Sequence, residues 1–73
     1  MKEKHRGQAF HIKIYPPRIV KKAASRYAEH VKVNVIADDD YTYVDFVADE
    51  NEKEILEGEF SNYVLYLIGE SRN

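Results

Sequence analysis

The stretch Tyr63-Val64-Leu65-Tyr66-Leu67-Ile68 decides how this chain is read: six apolar residues in a row within an otherwise markedly polar sequence. A surface helix buries one stripe and turns its opposite face to water. A helix through this run therefore carries more apolar surface than a small core can take. Upstream, Leu56, Phe60, Tyr63 and Leu67 share one helical face, with Val64 beside them. Ile55, Leu65, Tyr66 and Ile68 lie off that stripe. Asp49, Glu50, Asn51 and Glu52 open the element. Acids there suit the helix dipole, and Asp49 or Asn51 can cap. Gly69 is a stop. The pattern predicts one helix from about Glu52. The same six residues also favour strand, and Gly58 can divide a short helix from a fourth strand, so that alternative stays open.

Working back from this helix, Tyr41 to Ala48 reads as a strand rich in aromatic and β-branched residues, with Val44 and Phe46 toward the core. Ile36, Tyr41, Tyr43 and Val47 then face outward. Asp38-Asp39-Asp40 is a turn, because short carboxylates bond the nearby backbone. Val31 to Ala37 alternates, with Val31, Val33 and Val35 on one face, and makes the other arm of a hairpin. Before it, Pro16-Pro17 suits a helix start, and the helix runs to about His30. Val20, Ala23, Ala24 and Tyr27 share its inner face, with Ile19 on the flank. Arg18, Lys21, Lys22 and Arg26 take the solvent side. Ala9 to Tyr15 reads as the first strand, with Phe10, Ile12 and Ile14 inward.

The expected architecture is α+β in the order β-α-β-β-α, a three-stranded sheet covered on one face by two helices. Residues 1–8 are expected to be a flexible leader and residues 9–73 a single domain. A chain of 73 residues buries only about 60% of its unfolded surface. It lacks cysteine, so disulfides and thiolate sites are excluded. A protein partner or a second copy is the expected support. No apolar run approaches the roughly 18 residues that span a bilayer. No apolar signal core follows Met1-Lys2-Glu3-Lys4-His5-Arg6-Gly7. A cytoplasmic protein is expected.

Net charge is −2, yet the charges are segregated. Residues 1–35 carry nine Lys/Arg against Glu3 and Glu29; residues 36–73 carry Lys53 and Arg72 against eleven acids. The expectation is that the two halves fold together and neutralise.

Chemistry is sparse. His5, His11 and His30 have no metal-ligand spacing. Asp38-Asp39-Asp40 lacks the Gly and Glu of a calcium loop. Glu57 and Glu59, two apart on a helix, do not face each other. Ser25, Ser61 and Ser71 sit in no nucleophile elbow. No catalytic residue, metal or cofactor is expected. The residues point instead to partner binding through Ile36, Tyr41, Tyr43, Val47, Ile55, Leu65, Tyr66 and Ile68, with Arg18, Lys21, Lys22 and Arg26 as a steering face. Those four bases, with Tyr41 and Tyr43 for stacking, also admit weak binding of RNA or single-stranded DNA. A pI near 5.9 opposes that alternative. A homodimer, packed across Leu65 and Ile68, is the other alternative.

The run Ile14-Tyr15-Pro16, then Val20-Lys21-Lys22-Ala23-Ala24 and Arg26-Tyr27, resembles the small D component of His-Xaa-Ser peptide systems. Gly58-Glu59-Phe60 with Asn62-Tyr63-Val64-Leu65 is similar to that family's closing segment. The likeness covers roughly residues 10–70. It implies a noncatalytic helper that accompanies a radical S-adenosylmethionine enzyme and a precursor with His-Xaa-Ser repeats. Tyr66-Leu67-Ile68 departs from the family's more polar tail, which fits tighter association.

Overall fold

The computed structural model describes residues 7–71. Strand β1 (Gln8–His11) leads into helix α1 (Pro17–Tyr27), the hairpin β2 (Val33–Ala37) and β3 (Tyr41–Phe46), and helix α2 (Glu50–Ser71). The sheet order is β1-β3-β2, antiparallel throughout, so β3 is central and β2 is an edge. This is a small α+β fold with the expected element order. The final element is a single helix; Gly58 does not break it, and no fourth strand forms among the described residues.

The core follows from two periodicities. Phe10, Thr42, Val44 and Phe46 point from the sheet; Ile19, Val20, Ala23 and Ala24 answer from α1, and Phe60 and Val64 from α2. Phe60 meets Phe10, Phe46 and Tyr27 with its ring at 5.3–5.6 Å from theirs. Edge-on contacts of this kind add about 0.5–1.5 kcal/mol each beyond burial.

Several expected boundaries shift. Gln8 opens β1, so it belongs to the sheet and not to a leader; residues 1–6 of that expected leader lie outside the described residues. Gly7, at φ 68°, precedes it so closely that an added Cβ would sit 2.1 Å from the Val44 carbonyl oxygen. Only glycine fits there. The strand stops at His11, whose carbonyl accepts from both Ile14 and Tyr15. This turn leaves Ile14 66% exposed, and Tyr15 instead packs edge-on against Phe10. Helix α1 ends at Tyr27, not His30: the Tyr27 carbonyl takes the amides of His30 and Val31 in a closing turn. β2 starts at Val33, and Val31 packs against the core from the preceding turn. β3 ends at Phe46, with Val47 held by its amide to the Lys32 carbonyl. Of the two candidate caps for α2, Asp49 serves, accepting from the Glu52 amide at 2.8 Å.

Candidate functional surfaces

Register places Ala9, Tyr43 and Ile36 in one row across the outer sheet face, with His11 opposite Tyr41 and Asn34 opposite Asp45. Directly paired residues project to the same side. The aromatic rings form a strip: His11 to Tyr41 at 5.0 Å, Tyr41 to Tyr43 at 5.8 Å. Ile36 and Val47 are exposed and Tyr41 marginally so, whereas Tyr43 is half-buried. Partial burial, then the Asp38 carboxylate that takes its hydrogen bond, raises the Tyr43 phenol above its ordinary pKa. Asp38 also accepts the amides of Asp40 and Tyr41 at 2.8 Å each, so it organises the hairpin turn. Among the described residues no cluster of three or more His, Asp or Glu comes together for a cation.

The second surface is the far side of α2. Its apolar residues encircle the helix, as the opening run implied. Ile55, Leu65 and Tyr66 are exposed at 61%, 53% and 60%. Ile68 is different: it is half-buried and packs against the core, so it offers less surface than Leu65 to the expected contact across the two. Each step along a helix turns about 100°, which brings Ile68 round toward the buried stripe. The exposed line runs instead through Asn51, Ile55, Gly58, Asn62, Leu65 and Gly69. These positions alternate steps of four and three, the spacing of a helix–helix seam. None carries a charge, although the same helix holds Glu50, Glu52, Lys53, Glu54, Glu57, Glu59 and Glu70. An added Cβ at Gly58 or Gly69 would meet nothing within 4 Å, so the line is open to an approaching body. That spacing was present in the sequence, but glycine and asparagine hide it from a search for apolar residues. Tyr66 flanks the seam and stacks on Tyr63 with ring centres 6.4 Å apart. Its hydrogen bond to Glu70, then that carboxylate's charge, raises its phenol pKa.

Both helices lie on the inner side of the sheet, so the tyrosine strip and the α2 seam occupy opposite sides of the molecule. The basic residues Arg18, Lys21, Lys22 and Arg26 are exposed on α1. They look into separate hollows. Arg26 borders one of about 330 Å³ with Tyr27, His30 and Tyr63. Lys21 borders one of about 310 Å³ against β2. Arg18 and Lys22 border a third with Leu67 and Glu70. The expected neutralisation between halves makes no direct ion pair among the described residues; the pair that forms joins Lys53 to Asp45 at 3.1 Å, both from the acidic half. Two of the three serines have structural duties: Ser61 receives Gln8, and Ser71 donates to the Ile68 carbonyl. Among the described residues no helix is long and apolar enough to cross a membrane.

Comparison with known proteins returns no matching family model, no matching curated protein and no matching solved structure.

Proposed function

We propose that this chain is a noncatalytic accessory protein that works by docking. The observation that carries this reading is the uncharged seam on the outer face of α2, on a helix otherwise dense in glutamate. A water-facing helix side normally concentrates charge. Glu52, Glu54 and Glu59 flank the seam. Paired in parallel with its own copy, the helix would bring these acids near one another, and in neither direction would it offer them a base, since Ser61, Tyr66 and Ile68 are the other flanking residues; a partner with basic flanks would complement them. A foreign partner is therefore favoured over a homodimer. The resemblance to the D component of His-Xaa-Ser systems makes that partner a radical S-adenosylmethionine maturase, its precursor peptide, or both. With apolar surfaces on two opposite sides, one small body can touch both at once. Absence of cysteine suits a reducing cytosol.

The test is a titration of the purified chain with the maturase and the precursor separately, alongside sedimentation of the chain alone. The expected result is a monomer that binds at least one of them with a Kd of about 10 µM or tighter. Binding to neither overturns the assignment. A stable dimer would hand the seam to a second copy.

A further inference from the structure

We propose that the free edge of β2 is a peptide-binding site, which takes an extended segment as a fourth strand over the hollow between β2 and α1. The proposal rests on the docking reading only in that it supplies a place for a peptide.

The hydrogen-bond pattern fixes which backbone groups are open. Asp38 donates to the Tyr41 carbonyl and Val47 to the Lys32 carbonyl, each at 2.9 Å. In an antiparallel pair, alternate residues turn their backbone to the partner. Continuing the register from those two bonds, Asn34 and Ile36 turn theirs toward β3. Val33, Val35 and Ala37 therefore turn their N–H and C=O groups outward, where no described residue pairs with them. Edge strands in native proteins are usually blunted by lysine, proline or a bulge. The β2 sequence Val-Asn-Val-Ile-Ala contains no lysine or proline and keeps an unbroken register.

The side chains of Val33 and Val35 line the hollow, together with Lys21, Ala24, Ser25 and Ala28. Small residues on α1 leave the room. An antiparallel strand added at the edge would point alternate side chains over that hollow. Medium apolar side chains fit opposite Val33 and Val35, and a carboxylate fits beside Lys21. A second copy fits worse, because a two-fold edge-to-edge pair sets the two α1 helices on the same face and brings Lys21 of one hollow toward Lys21 of the other, with no carboxylate lining the hollow. The occupant is thus an extended apolar segment with an acidic residue, bound by main-chain hydrogen bonds and read by alternate side chains.

The probe is a fluorescein-labelled peptide containing Glu-Thr-Val-Thr-Val, measured by anisotropy against the full chain. A control peptide has proline for its first valine, which removes the amide aimed at β2. The expected result is saturable binding, weakened at least tenfold by that proline. Val35→Pro should weaken it similarly while the chain still melts cooperatively, since the Val35 amide does not pair with β3. Should that variant fail to fold, Ser25→Phe, an exposed position on α1, fills the hollow and should block binding. Lys21→Glu should reverse the preference between the Glu peptide and its Lys counterpart. Equal binding of both peptides, or none, overturns the site. So does a wild-type dimer that Val35→Pro converts to monomer. Maturase binding that survives Val35→Pro in a chain that ignores the peptide would sink the edge site alone. Peptide binding that obeys these variants without maturase or precursor binding would sink the maturation role alone.

Discussion

Gln8 donates a hydrogen bond from Nε2 to the Ser61 hydroxyl at 2.8 Å, fastening the first strand to the last helix. The same nitrogen donates to the Glu57 carbonyl at 3.0 Å, while Oε1 is buried without a partner. The primary amide has two N–H donors, so both bonds are available at once. Gln8→Ala should cost about 1 kcal/mol, since it removes two bonds but also one orphaned acceptor. Gln8→Glu should cost more at neutral pH, because an ionised carboxylate has no donor for either oxygen. Urea unfolding of the two variants measures both. Equal stability of all three proteins would remove residue 8 from the structural framework.

Thr42 makes the opposite case. It is fully buried on the inner sheet face, and its hydroxyl has no hydrogen-bond partner. An unpaired buried polar group costs about 1–3 kcal/mol. Thr42→Val keeps the branched shape and should raise stability by about 1 kcal/mol, or roughly 4–8 °C in Tm for a domain of this size. Calorimetry showing a lower Tm would mean that the hydroxyl has a partner in solution, such as a buried water.

The sequence pattern was most legible where one face of an element is fully covered. Val20, Ala23, Ala24, Phe60 and Val64 all stand in the core where helical period put them. Val44 and Phe46 do so by strand period. The pattern misled where a turn intervenes: Phe10, Ile12 and Ile14 alternate like a strand, but the His11 carbonyl captures two later amides and throws Ile14 outward. It also misled at the sheet edge. Val35 lies on the inner side yet stays 37% exposed, because strand order is not written in alternation. Six of the eight expected partner-binding residues are exposed; Tyr43 and Ile68 are half-buried, one by its aromatic neighbours and Asp38, the other by the core.

Tyr27 should give the domain an alkaline limit. Its ring packs among Phe46, Phe60 and Tyr63. Burial first, then the charges of Glu59 and Tyr63, raise its pKa above the ordinary 10.0. Arg26 and His30 border the same hollow. Neutral Tyr27 is favoured in the folded state, so its contribution is complete below the unfolded value and is lost as pH rises through the higher folded value. Tm should hold up to about pH 9 and fall above about pH 10. Tyr27→Phe should flatten part of that fall, leaving the share of Tyr43 and Tyr66, which are raised as well. An identical decline in the variant would assign the alkaline limit elsewhere.

The inner and outer faces of α2 should separate stability from docking. Phe60 is fully buried among three aromatic rings, and Phe60→Ala should cost about 3–5 kcal/mol. Small domains have little more than that to lose. The variant should melt broadly or be unfolded at 37 °C. Leu65 lies five residues on and faces away. Its neighbours one turn either side are Ser61, Asn62, Ile68 and Gly69, none charged, so a glutamate there meets no like charge along the helix. Leu65→Glu should change stability by no more than about 0.5 kcal/mol. A carboxylate in the middle of an apolar contact would be buried without a partner, so the same change should weaken docking by roughly a hundredfold, a loss near 2.7 kcal/mol. Thermal melts and the maturase titration, run on one preparation of each variant, read the two effects side by side. If Leu65→Glu binds as wild type does, the seam is an ordinary wet helix face and the interaction surface lies elsewhere on the molecule.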